Sequence, residues 1–113
     1  MQQPEQSTDL LDHVLDPDGI LRLTLNDVHR RNALSEAMLT QLGTAFAEAG
    51  ANPKVRVIVL AAHGPAFCAG HDLKEMTAGR DAEDNGRAYF SKVMAMCSGV
   101  MQAIVTCPKP VIA

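Results

Sequence analysis

Residues 63–73 (HGPAFCAGHDL) carry the residue types and the spacing that could support chemistry. Two glycines in this segment, Gly64 and Gly70, permit unusual backbone angles and let a ligand approach the main chain closely. A short helix is predicted from about Asp72, so the backbone N–H groups just before it are unpaired donors that can bind developing negative charge. The segment therefore predicts a site in which main-chain donors stabilise an anion.

Other kinds of site are not supported by the residue spacing. A phosphate-binding P-loop needs Lys followed by Ser or Thr after its second glycine, whereas Gly70 is followed by His71 and Asp72. The sequence contains no GxGxxG dinucleotide fingerprint and no His, Cys, Asp or Glu cluster with metal-ligand spacing. Cys68, between an aromatic residue and an alanine, is typical of a small buried hydrophobe rather than a nucleophile. We therefore expect no metal.

The elements that precede this segment predict a hairpin and then a helix. Residues 10–15 predict a first strand, a Pro-Asp-Gly turn follows, and residues 20–25 alternate with leucines on one face. Ser35 is a suitable N-cap for a helix that runs to about Ala49, and Gly50 is placed where a left-handed C-cap belongs.

The elements around and after the segment predict a parallel sheet covered by helices. Residues 55–62 are β-branched or apolar almost throughout, which predicts a strand buried on both faces. The segment at 63–73 follows the carboxyl end of this strand, where ligands bind in open α/β sheets. Residues 88–106 repeat apolar side chains at helical spacing, and residues 110–113 predict another strand. This alternation predicts an α/β fold.

Composition and charge exclude several classes of protein. The chain has 113 residues, 47% of them hydrophobic and 20% charged, which is typical of one small globular domain. The net charge is −3 and no basic patch occurs, so a nucleic-acid partner is not expected. Three cysteines without a CxxC pair favour a reducing compartment. Residues 1–9 are polar and predict a flexible leader, and no apolar stretch reaches bilayer length. We therefore expect a cytoplasmic protein with no membrane partner.

Three segments together resemble the crotonase (enoyl-CoA hydratase/isomerase) superfamily. Residues 30–35 (RRNALS) are similar to that family's K/R-N-A-L segment, residues 67–73 (FCAGHDL) to F-(S/C)-A-G-x-D-L, and residues 108–113 (PKPVIA) to P-K-P-V-I-A. The segments occur in the family's order, and the resemblance covers residues 10–113. It implies a crotonase-like spiral of ββα repeats, of which residues 10–113 are an incomplete, N-terminal part of an acyl-CoA-binding domain.

The resemblance implies that the protein binds an acyl-CoA thioester and stabilises its enolate through a backbone oxyanion hole. By motif position, the N–H of Ala69 is one donor, whereas the second donor, a glycine, and the catalytic carboxylates follow the P-V-I-A segment. Coenzyme A is part of the substrate, so no separate cofactor is implied, and the full-length protein is expected to be a homotrimer or hexamer. The substrate-binding residues implied are Arg31, Ala33, Ala69, Gly70, His71, Asp72 and Leu73.

The sequence leaves several alternatives open. Without the second donor and the carboxylates, the 113 residues could be a catalytically inactive fragment or pseudo-enzyme that acts as a binding or interaction remnant. A generic α/β ligand-binding domain unrelated to coenzyme A is a third reading. Asp72 could serve only as a helix N-cap, His71 as a surface or capping residue, and Arg30 and Arg31 as solvated charges.

Overall fold

The chain folds into one four-stranded sheet with helices. The computed structural model describes residues 9–113, so the predicted leader at residues 1–9 lies, apart from Asp9, outside the described residues. The sheet has the order β1-β2-β3-β4, in which the first pair is antiparallel and the other two pairs are parallel. The predicted α/β class is confirmed. The elements are β1 (Leu11–Leu15), β2 (Ile20–Leu25), a 3-10 turn (Val28–Arg30), α1 (Glu36–Ala51), β3 (Val57–Ala62), α2 (Leu73–Gly79), α3 (Arg87–Thr106) and β4 (Val111–Ile112).

The β1–β2 hairpin closes at the predicted Pro-Asp-Gly turn. The side-chain Oδ1 of Asp16 accepts hydrogen bonds from the backbone N–H groups of Asp18, at 2.9 Å, and Ile20, at 3.0 Å. Gly19 has a φ of +89°, and a β-carbon there would lie 2.7 Å from the side chain of Arg56, so the position requires glycine. The turn fixes a register in which the alternate leucines of β2 point into the core, as predicted.

Helix α1 contributes more buried side chains to the hydrophobic core than any other single element. Its N-cap is Ser35, as predicted, since the Ser35 hydroxyl accepts a hydrogen bond from the Met38 N–H at 3.1 Å. The α1 side chains buried against the sheet share one face of the helix, at the spacing that the sequence predicted. They are Met38, Leu39, Leu42, Ala45, Phe46 and Ala49.

The left-handed C-cap predicted at Gly50 is wrong. The helix continues for one residue beyond Gly50 and is capped by Asn52 in an extended conformation. A β-carbon at Gly50 would lie 3.3 Å from the Cδ atom of Pro108, tighter than an ordinary contact. The glycine therefore allows close packing of the segment before β4 rather than a reversal of the backbone.

The burial predicted for β3 on both faces is also wrong for this chain. Only Ile58 is fully buried, and the other residues of the strand are half-buried. The physical reason is that α3 packs on α1 and not on the opposite face of the sheet. The strand also begins later than predicted, since the N–H groups of Arg56 and Val57 both donate to the Gly19 carbonyl in the hairpin turn.

Lys109 ties the start of β4 to the connection between α1 and β3. Its Nζ donates hydrogen bonds to the carbonyl oxygens of Asn52, at 2.7 Å, and Val55, at 2.6 Å. Because bonds from a charged donor are stronger than neutral ones, this contact holds the P-K-P segment in place beside the end of α1.

Helix α3 contradicts the expectation that no apolar stretch reaches bilayer length. By length and composition alone, this helix of 20 residues is long and apolar enough to cross a membrane. That criterion is weak support for a span, because the core helices of soluble proteins also meet it. Only Val93 and Val100 are buried in α3, and Met94, Met101 and Val105 are exposed apolar side chains.

Candidate functional site

The connection between β2 and α1 reverses through two residues in the left-handed conformation. Arg31 has a φ of 52° and Asn32 a φ of 57°. Most L-residues avoid this region, and Asn is among the few side chains that tolerate it. The reversal brings the carbonyl of Arg31 and the side chain of Asn32 against the loop that follows β3.

Asn32 clamps these two loops together from a fully buried position, with 0% of its surface exposed. Its Nδ2 donates to the carbonyl oxygens of His63, at 2.9 Å, and Ala66, at 3.0 Å. Its Oδ1 accepts from the N–H of Asp27 at 2.7 Å. Both amide hydrogens and the amide oxygen are therefore used. Asn32 was expected only as a member of the K/R-N-A-L motif, and its three hydrogen bonds show that it holds the site loops together.

Two main-chain hydrogen bonds then set the position of the glycine-rich loop. The N–H of Ala69 donates to the Arg31 carbonyl at 3.0 Å, and the N–H of Leu34 donates to the Gly70 carbonyl at 2.6 Å. Gly70 takes a φ of +92° at this crossing. The N–H of Ala69, which the family resemblance assigns to the oxyanion hole, is thus already paired. Its role as a donor stays a prediction, and a ligand could use it only by displacing the Arg31 carbonyl.

His71 presents two unpaired polar groups at the end of this loop. Within residues 9–113 its backbone N–H has no hydrogen-bond acceptor, although the neighbouring residues on both sides are held in place. Its ring Nδ1 is buried and also lacks a partner among the described residues. A buried polar atom without a partner costs about 1–3 kcal/mol, so such atoms are uncommon outside functional sites.

The two carboxylates next to this loop are used as helix caps. Oδ1 of Asp72 accepts from the N–H groups of Lys74, at 3.0 Å, and Glu75, at 3.2 Å. Oε1 of Glu75 in turn accepts from the N–H of Glu36 at the start of α1, at 3.0 Å. The N-cap reading of Asp72 is therefore confirmed, while its contact with a ligand stays a prediction. Both carboxylates stabilise the N-termini of helices, where negative charge is favourable.

A cavity of about 250 Å³ brings most of the predicted site residues together. Arg31 and Gly70 lie outside its lining and instead supply the carbonyl oxygens that fix the loop. Of the predicted residues, those that line the cavity are Ala33, Ala69, His71, Asp72 and Leu73.

His29, Arg30 and Lys74 complete the lining, and Arg30 and Lys74 bring positive charge to it beside the Asp72 carboxylate. The Arg30 guanidinium reaches the Asp27 carboxylate only at 3.9 Å and is 56% exposed, so it is accessible to a ligand. His29 and Lys74 were not among the predicted site residues. Lys74 directly follows the matched F-C-A-G-H-D-L segment, and this adjacency was the available signal.

A larger cavity, of about 580 Å³, lies beside the hairpin turn at the opposite end of the sheet. Lys54 and Arg56 are among its lining residues, but the carboxylate of Asp16 there is used by the turn itself. It contains none of the predicted site residues. The smaller cavity is the better candidate because it holds the unpaired groups of His71. Within residues 9–113, no group of three or more His, Cys, Asp or Glu side chains is arranged to hold a metal ion.

Tyr89 lies near the carboxylates behind the site. Its hydroxyl is buried without a hydrogen-bond partner among the described residues. Burial raises the pKa of Tyr89 above its ordinary value of 10.0, and the negative charges of Glu75, Glu36 and Asp72 raise it further.

We expect the phenol of Tyr89 to titrate at a higher pH in the folded chain than in the denatured chain. Tyr89 is the sole tyrosine and the chain has no tryptophan, so phenolate absorbance reports this residue alone. Because the folded pKa is raised, the stabilisation from the neutral phenol is present below pH 10.0 and is lost as the pH rises through the folded pKa. A Glu75→Gln variant should titrate at a lower pH than the unsubstituted chain. Equal midpoints in buffer and in urea would contradict the buried position of the hydroxyl.

Comparisons with known proteins agree on one family. A family model described as enoyl-CoA hydratase/isomerase matches residues 16–113. The human protein named enoyl-CoA hydratase domain-containing protein 3, mitochondrial, is 43% identical over 96 residues, which are 85% of this chain and 30% of the human protein. A putative enoyl-CoA hydratase of Mycobacterium tuberculosis, EchA13, is 49% identical over 59 residues, which are 52% of this chain and 19% of that protein.

Solved structures agree with the sequence relatives. The crystal structure of an enoyl-CoA hydratase from Mycobacterium smegmatis superposes with a TM-score of 0.82 at 50% identity, over 91% of this chain and 38% of that one. The structure of human enoyl coenzyme A hydratase domain-containing protein 3 gives a TM-score of 0.79 at 36% identity, over 91% of this chain and 38% of that one. The fold is thus the crotonase fold, and it is incomplete. The chain spans 30% of the length of the human relative.

Proposed function

Because this chain belongs to the enoyl-CoA hydratase/isomerase family, we propose that it binds an acyl-coenzyme A thioester and polarises its carbonyl with a backbone N–H. The observation that carries the proposal is the unpaired N–H of His71 at the edge of the 250 Å³ cavity. A main-chain donor held at a fixed position stabilises an enolate oxygen without reorganising, and one such donor typically contributes about 3 kcal/mol. We assign to His71 the donor role that the family resemblance implies for Ala69, because the Ala69 N–H is paired with the Arg31 carbonyl.

The basic side chains of the cavity support the coenzyme A part of the proposal. Arg30, Lys74 and His29 lie on the lining that also holds the small side chains of Ala33 and Ala69. Coenzyme A carries several phosphates at one end and a slender pantetheine arm, which contains two amides, at the other. Phosphates would meet the positive charges, and the arm would pass over the alanines.

Proton transfer is not assigned to this segment. Asp72 Oδ1 and Glu75 Oε1 accept helix N–H groups, and Asp72 but not Glu75 lines the cavity, so both carboxylates already have a structural use. This observation favours a second candidate function, a thioester-binding module without catalysis by these 113 residues. Hydration or isomerisation by the whole protein, its homotrimeric or hexameric assembly and its cytoplasmic location remain predictions.

The proposal is tested by titrating the chain with butyryl-CoA in a calorimeter. We expect saturable binding that is weakened at least tenfold by Ala69→Leu, because the exposed Ala69 side chain lies on the cavity and a leucine would fill it. The matched control is Ala47→Leu on the exposed side of α1, which should bind like the unsubstituted chain. The proposal would be contradicted if the unsubstituted chain did not bind butyryl-CoA in a sample whose far-ultraviolet circular dichroism shows an α/β fold.

A further inference from the structure

We propose that the imidazole of His71 selects acyl chains that carry a polar group near the thioester. This inference rests on the proposed function and extends it from the thioester to the acyl chain. It starts from the ring Nδ1, which is buried and has no hydrogen-bond partner among residues 9–113.

The ring is held in place by its own backbone. The Gly70 carbonyl before it accepts the Leu34 N–H at 2.6 Å, and the Asp72 carboxylate after it caps α2. His71 therefore cannot shift as a whole to find a partner for Nδ1. The torsion χ2 of histidine is broad and close to two-fold, so the ring can turn and exchange the positions of Nδ1 and Cδ2. A partner supplied by a ligand would satisfy a nitrogen that the protein leaves unpaired.

The ring lies beside the group that we assign to the thioester oxygen. Covalent geometry keeps the ring nitrogens of a histidine within about 3 to 5 Å of its own backbone nitrogen. A thioester oxygen on the His71 N–H therefore brings the first carbons of the acyl chain within hydrogen-bond reach of the same residue's ring. A hydroxyl or carbonyl oxygen on these carbons is the complementary group.

The charges of the cavity indicate that the His71 imidazole contacts the acyl chain of the ligand and not its coenzyme A arm. Arg30 and Lys74 are the groups that suit phosphates. His71 belongs to the loop of the proposed thioester donor, on the part of the lining that takes the reacting end of the ligand. The ring is thus a specificity-determining contact in addition to the backbone donor of the same residue.

The experiment compares 3-hydroxybutyryl-CoA with butyryl-CoA by calorimetry on the 113-residue chain and its variants. We expect the unsubstituted chain to bind the hydroxylated thioester about fivefold more tightly, which corresponds to about one neutral hydrogen bond. His71→Ala should bring this ratio to about one. His71→Asn should keep most of the preference, because asparagine carries its polar atoms on Cγ, as histidine carries Nδ1. His13→Ala, an exposed histidine on β1, should leave the ratio as it is.

The outcomes separate this inference from the function on which it rests. Binding of both thioesters with equal affinity, or a ratio that survives His71→Ala, overturns the role of the ring and leaves thioester binding intact. A contact between the ring and a coenzyme A amide would weaken both ligands equally in His71→Ala and so would also overturn it. Absence of binding to either thioester by the folded chain contradicts both proposals.

Discussion

Replacing Asn32 with alanine is expected to lower the free energy of unfolding by about 3 kcal/mol or more. The side chain makes three hydrogen bonds at a position with no solvent exposure. Its removal leaves the carbonyls of His63 and Ala66 and the N–H of Asp27 without this partner, and each of these part-buried hydrogen bonds contributes about 1 kcal/mol. Alanine would also have to hold a φ of 57°, which costs about 1 kcal/mol more.

Two further variants separate the hydrogen bonds of Asn32 from the strain of its backbone. Asn32→Gly removes the side chain but adopts the left-handed conformation freely. It should therefore show most of the loss in unfolding free energy that is expected for Asn32→Ala. Asn26→Ala, at an exposed asparagine in the same connection, should change stability by less than about 0.5 kcal/mol. Urea unfolding followed by circular dichroism measures all three. A glycine variant as stable as the unsubstituted chain would show that the clamp contributes nothing.

The same clamp links stability to ligand binding. Asn32 holds the loop that carries Ala69, Gly70 and His71 through the carbonyls of His63 and Ala66. Asn32→Gly should therefore weaken butyryl-CoA binding even at temperatures where the variant is folded, because the loop must then be ordered by the ligand. Asn26→Ala should bind normally.

Local sequence signals predicted the elements well. The Pro-Asp-Gly turn, the Ser35 cap and the alternation in β2 act within a few residues, and each is observed. Features that depend on distant segments were predicted poorly. Gly50 is fixed by contact with Pro108, and the exposure of β3 follows from the position of α3. Neither the contact of Gly50 with Pro108 nor the position of α3 relative to β3 can be predicted from the residues adjacent in sequence.

The candidate site shows the same division between local and distant information. The motif at residues 67–73 located the loop, and four of the site residues predicted from it, Ala69, His71, Asp72 and Leu73, line the cavity. Which N–H is unpaired depends on the Arg31 carbonyl, more than 30 residues away in sequence, so the motif alone could not separate Ala69 from His71. Lys74 lines the cavity because α2 begins at Leu73. Predicting this contact from the sequence would have required the start of the helix to within one residue.

Replacing both Arg30 and Lys74 with alanine is expected to weaken butyryl-CoA binding about tenfold. Each side chain would meet phosphate from an exposed position, where a contact between charges contributes about 0.7 kcal/mol, so the two together correspond to roughly tenfold in affinity. Screening should reduce the loss as the ionic strength rises, since the contacts are exposed to solvent. The measurement is a calorimetric titration at two salt concentrations.

The matched control for this charge removal is the double variant Lys54→Ala, Arg56→Ala at the opposite end of the sheet. Both double variants change the net charge from −3 to −5, so any effect of the overall field is the same in each. Only the double variant at Arg30 and Lys74 should bind butyryl-CoA more weakly than the unsubstituted chain. Butyryl-pantetheine, which has the same thioester but lacks the phosphates, should bind both variants alike. If the two double variants lost butyryl-CoA affinity equally, the cationic lining of the cavity would have no specific part in binding. If butyryl-pantetheine were weakened with butyryl-CoA, the two side chains would act on the thioester end, and the orientation proposed for coenzyme A would be reversed.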